Sequence, residues 1–130
     1  MLPIKVVSPA CSGTDTARSL AVDSANNVYV VGDAGNTLQA SLTTLMGSKP
    51  GAATTGVYLV KYSPTGTPLW GRWIDGTGAE TGNSVVVDFT GAVYIAGTAG
   101  TVDLQTALAT IMGGAKPWTT SAGAFLIKYG

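Results

Sequence analysis

The sequence has no histidine, one cysteine, and only seven basic and seven acidic side chains in 130 residues. Each scarcity excludes something. Without histidine, the usual general base near neutral pH and the commonest zinc ligand are both missing. Cys11 alone cannot close an intrachain disulfide, and it has no imidazole to hold it as a thiolate; it reads as a small half-buried side chain near a strand end. The seven positive and seven negative charges cancel, so no basic stripe exists to collect nucleic acid or an anionic membrane. No apolar run approaches the roughly 18 residues that would span a bilayer. Met1-Leu2-Pro3-Ile4-Lys5 lacks the charged and apolar regions of a signal peptide, so an export signal is expected upstream or already removed. Gly-x-Ser-x-Gly elbows, P-loops and dinucleotide fingerprints are absent. The acidic residues are scattered rather than paired for acid–base work. The expectation is a protein that is not an enzyme, with no cofactor and no metal.

What the chain does have is apolar content and repetition. It is 45% hydrophobic with 18 glycines, too apolar to stay disordered. The segment from Arg18 to Gly32 returns from Asn83 to Gly97, 65 residues later. Val57-Tyr58-Leu59-Val60-Lys61-Tyr62 returns as Ala124-Phe125-Leu126-Ile127-Lys128-Tyr129, 67 residues later. A repeat of this length signals units that bury their apolar faces by stacking on one another.

Each unit reads as four antiparallel strands, a to d. Strands are expected near 18–23, 28–32, 57–62 and 68–74, then near 84–88, 93–97 and 124–129. Asp23-Ser24-Ala25-Asn26-Asn27 and Phe89-Thr90-Gly91 are tight turns between a and b. A calcium site at the first would need six or more oxygens, and its second copy offers only Asp88, so both are read as turns. Ser63-Pro64-Thr65-Gly66 turns between c and d. Strands a and b are nearly continuous in apolar residues, so both of their faces are expected to be covered. The long b–c connection carries Leu38, Leu42, Leu45 and Met46 in one copy and Leu104, Leu108, Ile111 and Met112 in the other. That spacing predicts short docked helices near 38–46 and 104–112, with Thr37 and Asp103 as caps and Gly47 and Gly113 as stops; the alternative is an irregular loop with buried leucines. Lys-Pro follows both, as Lys49-Pro50 and Lys116-Pro117.

Pro3 to Val7 stands where a strand d stands before the next unit, and the chain ends just after a strand c. The units are therefore circularly permuted. One runs from about 12 to 75. The other runs from about 77 to 130 and needs a strand d from elsewhere.

The run Gly82-Asn83-Ser84-Val85-Val86-Val87-Asp88, then Gly91-Ala92-Val93-Tyr94-Ile95-Ala96-Gly97-Thr98, Gly100-Thr101-Val102-Asp103 and Ala124-Phe125-Leu126-Ile127-Lys128-Tyr129 resembles the bacterial SBBP-type β-propeller repeat. So does Val60-Lys61-Tyr62-Ser63-Pro64-Thr65-Gly66-Thr67-Pro68-Leu69-Trp70-Gly71-Arg72. The resemblance implies an all-β fold of four-stranded blades around a channel, in secreted or cell-surface bacterial proteins, and brings no catalytic residues with it. Two departures are the longer helical insert and the presence of only two units.

Two blades cannot close a ring, since propellers use about four to eight. A homo-oligomer is expected, with Pro3 to Val7 completing the blade of a neighbouring copy beside Ala124 to Tyr129. Three copies are favoured over four. The b–c and d–a connections share one face, and there Trp118, Trp73, Arg72, Asp75 and Glu80 are the candidate ligand-binding residues, with Asp15 in Glu80's place in the other copy. An aromatic platform with convergent polar groups suits a sugar. The competing reading of Trp70 and Trp73 is packing between blades. Trp118 has Gly51 at its matching position and is not framework; it either contacts ligand or covers its own insert. The functional expectation is a non-enzymatic, multivalent, lectin-like binding module for glycans. The alternative is a structural or protein-interaction propeller, or a fragment of a longer one, with no small-molecule ligand.

Overall fold

In a computed structural model, the described residues are 15–35, 38, 40–50, 54–76, 78–100 and 122–130. They form two antiparallel sheets and one short helix. Strands β1 (Thr16–Val22), β2 (Val28–Ala34), β3 (Gly56–Tyr62) and β4 (Pro68–Ile74) pair in sequence order. Strands β5 (Thr81–Val87), β6 (Val93–Ala99) and β7 (Gly123–Tyr129) do the same. All seven lie where the alternation and turn residues put them, each within three residues at either end. The proposed strand at Pro3 to Val7, the second helix near 104–112, the caps at Thr37 and Asp103 and the thiol of Cys11 lie outside the described residues.

Turn chemistry explains the short connections. Asn26 takes a left-handed φ of 63° and Gly91 takes 87° at the matching turn. Gly66 takes 80° after Pro64, and its N–H donates to Ser63 O at 2.9 Å. Glycine tolerates this region because it has no Cβ to clash, and asparagine because its short polar side chain can hydrogen-bond locally. β1 and β5 each carry a bulge at the same repeat position, at Arg18 and at Asn83.

The sheets stack with β1 and β2 against β5. The first sheet presents Tyr29, Val31, Val57, Leu59 and Ile74 to this contact; we call this its leading face. The second sheet presents Val85, Val93, Ile95, Phe125 and Ile127, its trailing face. Gly82 marks the closest approach: a Cβ there would lie 2.6 Å from Val57 Cγ1 and 2.8 Å from Val31 Cγ2.

The first sheet's trailing face holds a second core. Helix α1 (Ala40–Met46) lays Leu42 and Met46 over Tyr58, Val60, Tyr62 and Trp73, with Leu38 beside them. Gly47 ends the helix with φ 75°, its N–H donating to Thr43 O at 2.9 Å. Leu45, expected on the docked stripe, is instead exposed, because seven residues offer the sheet only one narrow side. The expectation that strand a is covered on both faces also fails. Leu20 is 65% and Val22 52% exposed, since the cluster under the helix takes in residues of β2, β3 and β4 but none of β1.

Candidate functional site

Among the described residues two clusters of charged side chains stand out, one seen in both sheets and one seen once. The repeated cluster closes each a–b turn. Asp23 Oδ1 accepts from the N–H groups of Ala25 and Asn27, both at 2.9 Å. Its other oxygen accepts from Tyr29 Oη at 3.2 Å and faces Lys61 Nζ at 3.3 Å. Lys61 also lies 4.9 Å from the Tyr29 ring centroid. In the second sheet Asp88 Oδ1 accepts from Thr90 and Ala92 N–H at 2.9 and 3.0 Å. Tyr94 Oη donates to Asp88 Oδ2 at 3.1 Å, and Lys128 lies 5.3 Å from the Tyr94 ring. These donors hold both carboxylates below the usual range, led by Asn27 for Asp23 and by Thr90 for Asp88, which drops to about 2.

The second cluster is buried. Asp75 follows β4, Glu80 precedes β5, and Lys49 comes from the connection between α1 and β3. Lys49 Nζ lies 3.1 Å from Asp75 Oδ2, with 2% and 0% of the two side chains exposed. Glu80 is also fully buried, and neither of its oxygens makes a hydrogen bond of ordinary geometry among the described residues. Burial first, and then the neighbouring Asp75, push its carboxyl up to about 8. Gly56 walls the cluster: a Cβ there would meet Asp75 Oδ1 at 2.7 Å and Lys49 Cδ at 3.0 Å. The matching acid in the first copy, Asp15, accepts from Gly35 N–H at 2.9 Å.

Of the five candidate ligand residues, Asp75 and Glu80 come together. Trp73 is buried beneath α1, its Nε1 donating to Gly47 O at 3.2 Å, so it packs on the helix rather than between the sheets. Arg72 points to the other face of β4 and lies 5.8 Å from the Trp70 ring. Trp118 lies outside the described residues. Trp70 packs against the core between the sheets and meets Tyr29 edge-on at 6.0 Å.

Sequence reasoning missed Lys49 as a member of the cluster, although Lys-Pro recurs after both inserts. It also missed the Asp–Tyr–Lys clasp, whose signal is the common recurrence of Asp23, Tyr29 and Lys61 as Asp88, Tyr94 and Lys128.

Residues 12–38 match the family described as SBBP, beta-propeller repeat. The chain carries an SBBP-type repeat. The matched stretch takes in β1, the Asp23 turn and β2, which supply Asp23 and Tyr29 of the clasp; Lys61 lies beyond it on β3. No curated protein matches the chain. The two stacked sheets of four and three antiparallel strands are consistent with propeller-like blades, and the repeat at residues 12–38 points to a binding or structural module.

Proposed function

We propose that the chain is a non-enzymatic, multivalent binding module of the cell surface or extracellular space, built as a head-to-tail ring of two-bladed subunits, three before four, with glycans as its ligands. One observation carries the assembly. Among the described residues, the β1 end of the first sheet's trailing face, beyond the reach of α1, and the leading face of the second sheet carry exposed apolar side chains, and these are repeat equivalents of residues buried between the sheets. Leu126, 67% exposed, stands where Leu59 is buried, and Leu20 stands where Val85 is buried. The sizes compensate at the tightest point. Inside the chain Gly82 meets Val31 and Val57. The equivalents are Ala17 against Ala96 and Ala124, a methyl gained on one side and isopropyl groups trimmed to methyls on the other. A second copy offers each uncovered face its complement. Such a heterologous contact closes into a ring when the rotation allows.

Repeating a weak site around that ring raises avidity without new contacts. Arg72, exposed on its strand, and Trp118, outside the repeat framework, are the residues proposed to touch sugar; Asp75 and Glu80 support that face from within. The second reading, a structural or protein-interaction propeller with no small-molecule ligand, draws on the burial of Trp73, Asp75 and Glu80. Light scattering on the purified chain tests the ring. Three or four times the chain mass, falling to one in Leu126→Asp and Leu20→Asp, is the expected result. A folded monomer at micromolar concentration overturns it. A glycan array with the assembled protein then separates the two readings: binding lost in Trp118→Ala supports the first, and silence across glycans supports the second.

A further inference from the structure

We propose that Lys49 and Asp75 join in an intramolecular amide, with Glu80 as the acid that promotes its formation. The cluster holds the three groups such a bond requires. Lys49 Nζ sits 3.1 Å from Asp75 Oδ2, so the amine lies against the carboxyl group it would acylate. Both side chains are sealed from solvent, and Gly56 leaves no space between them for a Cβ. Glu80 is a third buried carboxyl, set directly against Asp75, whose proximity helps to raise its proton affinity. A buried ion pair alone does not call for a second carboxyl, because it adds desolvation cost without another cation.

The chemistry balances without any outside reagent. One proton passes from Lys49 to Asp75 along their hydrogen bond, giving a neutral amine and a neutral acid; the free amine is the nucleophile. Its lone pair attacks Asp75 Cγ, forming the C–N bond. Glu80, which keeps its proton at neutral pH, donates it to the departing hydroxyl as the C–O bond breaks. Water leaves, and the proton shed by nitrogen restores Glu80. Nothing is oxidised or reduced, and the product is lighter by one water. Amide formation in bulk water is unfavourable. Holding the partners in contact supplies an effective molarity of about 10⁵–10⁸ M, and a dry site gives the released water nowhere to act. The bond would tie the connection between α1 and β3 to the end of β4, locking β3 and β4 of the first sheet together.

Mass spectrometry of the purified full chain decides. Trypsin should release peptides 19–61 and 73–128 as one species, about 18 Da lighter than their sum. Lys49→Arg should return both peptides separately at sequence mass. Loss of a general acid slows a step by about 10²-fold or more, so Glu80→Gln should be isolated mostly without the cross-link. A wild-type chain that is folded by circular dichroism, yet gives both peptides free at sequence mass after incubation from pH 5 to 8, overturns the proposal. So does an 18 Da loss that persists in Lys49→Arg, since Asp75-Gly76 can shed water alone as a succinimide. A cross-link that is complete in Glu80→Gln removes the role given to Glu80.

Discussion

The two lysine–carboxylate clusters of this chain contrast point by point. The clasp at Asp23, Tyr29 and Lys61 sits at a turn, touches water, and recurs in the second sheet at Asp88, Tyr94 and Lys128. Every acceptor in it is met by backbone or side-chain donors. The trio of Lys49, Asp75 and Glu80 is sealed from water. The proton affinities of the acids move in opposite directions, down at the clasp and up at Glu80. What recurs is what each blade needs to fold: an Asp that caps a turn and a Tyr that ties it to the sheet. The trio at Lys49 is costly to bury and serves no turn.

The largest expected effect breaks the contrast at its lysines. Lys49→Ala leaves two carboxyl groups buried with neither a cation nor a cross-link, and losing one partner of a buried pair costs about 3–5 kcal/mol, before any loss of the proposed amide. Lys61→Ala removes a partly exposed partner from an Asp that keeps its other donors, at a cost below about 1 kcal/mol. Urea unfolding of both variants measures the difference. Equal losses would mean that the two clusters are energetically alike.

The second test uses pH. The carboxyl of Glu80 is raised in the folded state from about 4.5 to about 8, so between those values the folded chain holds a proton that the unfolded chain has lost. Stability from this group is complete below about pH 4.5 and is lost as pH rises through 8. Unfolding midpoints should fall over that window in the wild type and flatten in Glu80→Gln. A wild-type profile that is level from pH 5 to 8 would count against a protonated Glu80.

Much of the fold was legible because strands and turns are local. The two-residue alternation of β1 to β7, the glycines at 66 and 91 and the helix stop at Gly47 need no long-range information. Burial was less legible. Trp73 and Arg72 are adjacent in sequence, yet one lies under α1 and the other points to the opposite face, an outcome set by which side of β4 the helix covers. Leu20 and Val22 look like core from sequence and are exposed, because the apolar cluster under α1 takes in residues of β2, β3 and β4 but none of β1. Asp75 and Glu80 were found as acids near one connection. Their shared burial with Lys49 depends on a contact between residues 26 apart, which no periodicity encodes.

On the acid side the contrast reverses. Asp88 is lowered in the folded state from 3.8 to about 2, and Asp23 is lowered as well. The contribution of Asp88 is complete above about pH 4 and is lost as pH falls through 2, and that of Asp23 has the same sign. Asp88→Asn should therefore blunt the loss of stability between pH 4 and 2 while leaving the slope between 4.5 and 8 untouched. Glu80→Gln should do the opposite. A single variant that flattens both limbs would show the clusters to be coupled.

The smallest effect sharpens the claim that the clasp is framework. Tyr29→Phe and Tyr94→Phe each delete one hydroxyl that donates to a turn carboxylate, at 3.2 and 3.1 Å. A hydrogen bond of this kind contributes about 0.5–1.5 kcal/mol, and the two losses should agree within about 0.5 kcal/mol because the turn geometry is the same. A residual difference is expected to favour the first sheet, where Lys61 pairs with Asp23 as well as stacking on Tyr29. Removing Lys61 in the Tyr29→Phe background should erase that difference. The double-mutant cycle isolates the term, since the two residues touch and their effects need not add. If Tyr94→Phe costs nothing while Tyr29→Phe costs its full amount, the clasp is a feature of the first sheet alone, and its recurrence in the sequence has another cause.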